Sequence, residues 1–126
     1  MLGLMLSPAF ALLSAAVLLG GTLGVLHLRP AGGAPRALGL VHGALAVCGL
    51  ALLLISLRPT ARAEANGTAM LGPDGAVVLA AALLAGLGVL YKLRRGARGA
   101  AGLLMALHAT LAFMGYVMVA AFWSIR

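Results

Sequence analysis

Four apolar runs, each about as long as a bilayer is thick, dominate this chain: Pro8–Leu26, Ala37–Leu57, Ala76–Leu93 and Ala100–Trp123. A helix needs about 20 residues to cross the hydrocarbon. Soluble helices return to polar residues on every turn, whereas here the apolar positions continue around the whole circumference, a surface that lipid solvates and water does not. With 63% hydrophobic and 9% charged residues, the composition matches no water-soluble domain. Inside hydrocarbon every backbone amide must be paired within its own segment, and the alternation of a barrel strand is absent, so the fold class is expected to be all-α. The expected architecture is an integral membrane four-helix bundle, a single domain over residues 1–126 made of two transmembrane hairpins.

The first run contains small residues at Ala11–Ala16 that mimic a signal-peptide cleavage site. No Lys or Arg precedes the run, and it continues past that site to Leu26, so the chain is expected to be retained from Met1 onward. Six cations, Arg29, Arg36, Lys92, Arg94, Arg95 and Arg98, lie in the two short turns, against Arg58, Arg62 and Arg126 on the other side. Cytoplasmic loops retain Lys and Arg, so both termini are expected outside the cytoplasm, in a bacterial inner membrane. Glu64 and Asp74, the only acids, fall in the opposite, longer loop. Topology thus accounts for the net charge of +7. The chain has no soluble surface on which to build a basic groove, so nucleic acid is not the expected partner; anionic headgroups of the lipid bilayer are.

The two halves, about 8–58 and 75–126, look duplicated when overlaid with one small gap. Leu23-Gly24-Val25-Leu26-His27 matches Leu87-Gly88-Val89-Leu90-Tyr91, and the pattern H-x-x-L-A-x-x-G occurs at His42–Gly49 and again at His108–Gly115. Leucine and alanine coincide by chance in so biased a sequence; histidine does not, since the chain holds only 3. Corresponding helices are separated by an even number of crossings and run parallel, which puts His42 and His108 on one side of the membrane. Sixteen positions separate His42 from Arg58 and eighteen separate His108 from Arg126, a depth difference of about 3 Å at the helical rise.

Residues four and seven positions apart share a helix face, so His42, Ala46 and Gly49 form one stripe and His108, Ala112 and Gly115 another. A face of small residues either lets helix backbones approach closely or leaves room for a flat cofactor. Two imidazoles at equal depth could ligate one haem iron from opposite faces, with the porphyrin against Gly49 and Gly115. In this respect the sequence resembles the four-helix transmembrane b-type cytochromes, including the cytochrome b five-six-one type and the haem-binding bundle of haem A synthase, with the likeness confined to the second and fourth segments. The resemblance implies that His42 and His108 are axial ligands of haem b in a small electron-transfer protein or subunit that exchanges electrons with a quinone or a partner. Members with two haems need a second histidine pair near the other surface, and this chain offers only His27.

Other readings stand beside that one. The two histidines could hydrogen-bond neighbouring helices, or bind zinc or copper without the usual carboxylate or thiolate companions. Cys48 is rotated away from the stripe and has no disulfide partner, so it reads as a small apolar filler, and Met105 and Met114 read as packing. His27 reads as an interfacial loop residue, Trp123 and Tyr91 as interfacial anchors. Arg36 and Arg98 open the two histidine segments and could pair with haem propionates, although positive-inside retention also explains them. No acid is expected within a helix, which argues against the small exporters that use an embedded glutamate. Motifs for nucleophilic catalysis, nucleotide binding or metal hydrolysis are absent, so the chain reads as an electron carrier or accessory subunit and not as a stand-alone enzyme. The alternative function is a non-catalytic accessory subunit that packs against other membrane subunits or its own copies, for which Gly20-xxx-Gly24 and Gly39-xxx-Gly43 offer small-residue faces.

Overall fold

The computed structural model describes residues 2–29, 33–57, 64–65 and 67–125, with the side chains of 2–6, 98 and 100 outside the description. The chain forms α1 (Leu2–Leu28), α2 (Arg36–Ser56), α3 (Leu71–Arg94) and α4 (Arg98–Ser124), with no strand among the described residues. Each contains a stretch of 21 to 24 residues that is long and apolar enough to cross a membrane. The boundaries of α2 and α4 lie within two residues of those read from the sequence. α3 starts five residues earlier than expected, at Leu71, because Pro73 falls in its first turn, where no intrahelical N–H is required. Asp74 therefore lies inside a helix, contrary to the expectation that no acid would. It sits where the helix dipole favours a carboxylate, and its amide donates to the Met70 carbonyl at 2.9 Å. α1 likewise extends beyond its expected start and carries Pro8 within it.

The chain divides into two compact units, Met1–Arg58 and Pro59–Arg126. In the first, α1 packs on α2; in the second, α3 packs on α4. Both pairs are antiparallel: as α2 advances from His42 to Gly49, its contacts on α1 retreat from Gly20 to Leu13, and α4 follows α3 in the same way from Gly86 to Leu79. The first unit buries Ala9, Leu13 and Ala16 of α1 against Gly49, Leu50, Leu53 and Ser56 of α2. The second buries Gly75, Ala76, Leu79 and Ala82 of α3, and Gly115, Val119 and Phe122 of α4.

These buried sets superpose in residue number. Ala9 and Gly75, Leu13 and Leu79, Ala16 and Ala82, Gly49 and Gly115, Leu53 and Val119, Ser56 and Phe122 each stand 66 positions apart. α1 and α3 also end 66 positions apart, at Leu28 and Arg94. The repeat thus needs no gap across the packed faces. The look-alike strings at Leu23–His27 and Leu87–Tyr91 are offset by 64 and do not occupy equivalent positions. Burial at the helix contact, rather than local string identity, aligns the halves.

The second hairpin turns tightly. Gly96 adopts φ +73°, the Gly96 amide donates to Leu93 O at 3.1 Å and the Ala97 amide donates to Lys92 O at 3.0 Å. This pair of backbone bonds is the Schellman arrangement, which requires the left-handed conformation that glycine adopts without a Cβ clash.

Candidate functional site

The clearest polar feature occurs once in each hairpin. His42 on α2 reaches α1, where its Nδ1 lies 2.9 Å from the Ala16 carbonyl oxygen, and His108 on α4 reaches α3, with Nδ1 2.7 Å from Ala82 O. A carbonyl only accepts, so the Nδ1–H donates in both, and in the neutral ring Nε2 carries the lone pair. Partner and histidine are 26 residues apart in each case.

A glycine makes that reach possible. A Cβ on Gly20 would lie 2.9 Å from His42 Cε1 and 3.3 Å from Nδ1; on Gly86 it would lie 3.0 Å from both atoms of His108. In a helix the carbonyl of Ala16 pairs with the amide four residues on, which is that of Gly20. Side chains tilt toward the helix N-terminus, so any larger residue at position 20 would shield the very carbonyl the imidazole approaches. The unit is therefore Ala-x-x-x-Gly on one helix and His on the next. Sequence reasoning singled out His42 and His108 but missed Ala16, Ala82 and Gly86, and treated Gly20 only as part of a packing stripe. The signal was present, since Gly20 and Gly86 share the 66-residue offset of the histidines.

Both stripes face the neighbouring helix of their own hairpin. His42 is half-buried, Ala46 is half-buried one turn further, and Gly49 is buried, where a Cβ would lie 2.9 Å from Leu13 Cγ and 3.2 Å from the Leu13 backbone nitrogen. On α4, His108 and Ala112 are half-buried and Gly115 is buried, where a Cβ would lie 2.8 Å from Leu79 Cγ and 3.1 Å from Gly75 O. Of the two uses open to a small-residue face, close helix approach is the one these glycines serve. Leucine side chains, Leu13 and Leu79, occupy the space above Gly49 and Gly115, where the sequence reading set a porphyrin.

Arg36 is exposed at the first residue of α2; Arg98 begins α4, its side chain lying outside the described residues, as do Arg58, Arg62 and Arg126. Cys48 is exposed, and His27 is exposed in the last turn of α1. Among the described residues no three or more of His, Cys, Asp and Glu gather as a metal site would need. Gly24, Gly39 and Gly43 have nothing within 4 Å of a Cβ position, so they contribute nothing to packing inside the hairpin. Comparison of the chain with known protein families, curated proteins and solved structures finds no match.

Proposed function

We propose that this chain is an integral membrane accessory subunit, in which two duplicated hairpins, each closed by a histidine clasp, present apolar outer faces to lipid and to other membrane subunits. The observation that carries this reading is the use of both intramembrane imidazoles in the same way: Nδ1–H on a backbone carbonyl, ring on a glycine, within one hairpin. A polar side chain in hydrocarbon is costly unless it is paired, and pairing it to a neighbouring helix fixes the register of that pair. Outward faces support the second half of the reading. Leu18, Leu40 and Leu103 are 74%, 74% and 77% exposed, and Gly39 and Gly43 leave open space on α2. The charge asymmetry of the turns supports an orientation with both termini outside the cytoplasm.

One observation favours a second reading, a b-type cytochrome-like electron-transfer subunit. An Nδ1–H held by a carbonyl is the outer-shell arrangement that orients a metal-bound imidazole through its other nitrogen. His42 and His108 would hold the haem b, which would supply single-electron transfer, with a quinone or a partner subunit exchanging the electron. Absorption spectra of the purified chain, oxidised and then reduced, separate the two. The accessory reading expects no Soret band and co-purification with another membrane protein or with further copies. Split reduced bands that vanish in both His42→Ala and His108→Ala would overturn it in favour of the haem.

A further inference from the structure

Lys92, Arg94, Arg95 and Arg98 fall within seven residues at the turn of the second hairpin. Cations at a helix C-terminus commonly serve its last carbonyls. Here the backbone does so instead: the amides of Arg95, Gly96 and Ala97 donate to the Tyr91, Leu93 and Lys92 carbonyls at 3.1, 3.1 and 3.0 Å. The acids of the chain stand at the other end of the hairpin. Asp74 is in the first turn of α3 and Glu64 precedes that helix. At a rise of about 1.5 Å per residue, Asp74 and Lys92 are roughly 27 Å apart, well beyond the Debye length of about 8 Å. No acid of the hairpin lies near enough to pair with this turn, which leaves its cations open to an anion from outside the hairpin.

Arg95 shows what kind of charge it suits. Its guanidinium carbon lies 5.2 Å from the centroid of the Tyr91 ring, which is itself 54% exposed. A guanidinium held near a ring face by cation–π attraction keeps its N–H fork, which matches two phosphate oxygens. Arg94 is exposed beside it and Lys92 half-exposed one turn back. The ring and the three cations occupy the end of an apolar span, the level at which lipid phosphates lie.

We infer that the Tyr91–Arg95 turn is a binding surface for the phosphate of anionic phospholipids, with Arg95 as the forked donor and Lys92 and Arg94 as flanking charges. This rests on the membrane reading above. The test uses the full chain reconstituted in phosphatidylcholine vesicles carrying a trace of spin-labelled phosphatidylglycerol or spin-labelled phosphatidylcholine. The motionally restricted fraction of each probe is measured. At low salt the glycerol lipid is expected to associate at least about fivefold more strongly than the choline lipid, the contribution of one surface cation out of the three, and the triple variant K92Q/R94Q/R95Q is expected to lose most of that preference while restricting the choline lipid as before. Equal association of the two probes with the natural chain, or full preference retained in the triple variant, would overturn the inference and leave the membrane reading standing. No restricted fraction for either probe would remove both.

Discussion

The clasp makes a quantitative claim about two positions at once, Gly86 and His108. Adding a methyl at Gly86 places a Cβ 3.0 Å from His108 Cε1 and Nδ1, so the ring has to give by a few tenths of an ångström and its bond to Ala82 O is strained. Overpacking of this kind costs about 1–3 kcal/mol. Alanine is the better helix former by about 1 kcal/mol, which leaves Gly86→Ala destabilising by about 0–2 kcal/mol. With His108 already replaced by alanine there is no ring to displace, and the same methyl should stabilise by up to about 1 kcal/mol. The two substitutions are thus expected to couple by about 1–3 kcal/mol, well above the additivity error of about 0.5 kcal/mol. Equilibrium unfolding of the full chain in mixed micelles, titrated with a denaturing detergent and followed by far-UV circular dichroism, measures all four corners of the cycle. Gly102→Ala, on the same hairpin with nothing within 4 Å of its Cβ, is the control for propensity alone. Additivity within error would refute the seating of the imidazole on Gly86, and with it the clasp.

Gly115→Ala should be less stable than Gly102→Ala by about 1–3 kcal/mol in the same assay, because one of its close neighbours is the Gly75 backbone oxygen at 3.1 Å, which moves only if the helices part; stability at or above that of Gly102→Ala would contradict the packing. Gly96→Ala forces a side chain into φ +73° and is expected to cost about 1–2 kcal/mol, with unchanged stability counting against the Schellman turn. In a Cys48→Ser background, Gly99→Cys should react with a membrane-impermeant maleimide only after cells are opened; labelling of intact cells would invert the topology. His42→Ala should lower stability by about 0.6–1.7 kcal/mol, the range of hydrogen bonds between membrane helices, whereas a loss above about 4 kcal/mol would mean that the imidazole holds more than one helix pair.

Much of the fold was legible because it depends on one-dimensional quantities. Run length and composition alone specify four helices long and apolar enough to cross a membrane, since a solvent of hydrocarbon leaves the backbone few alternatives. The duplication was legible through rare residues: His42 and His108 stand out in a background of Leu and Ala where most matches are noise. Its register was not, because Leu23–His27 and Leu87–Tyr91 agree as strings while the contact faces agree at an offset of 66. A packed face is defined by what it touches, and strings carry no partner.

The same reason separates the two fates of a small-residue stripe. Periodicity placed His42, Ala46 and Gly49 on one face, and His108, Ala112 and Gly115 on another, but spacing along a helix says nothing of what stands opposite. Only the tertiary structure put Leu13 and Leu79 against those glycines and the Ala16 and Ala82 carbonyls within reach of the imidazoles. It also moved Asp74 into the first turn of α3, which starts at Leu71 with Pro73 inside that turn. Hydrophobic length is a property each segment carries alone; a groove, a clasp and an aligned repeat are properties of two segments in contact, and they exist only once the chain has folded.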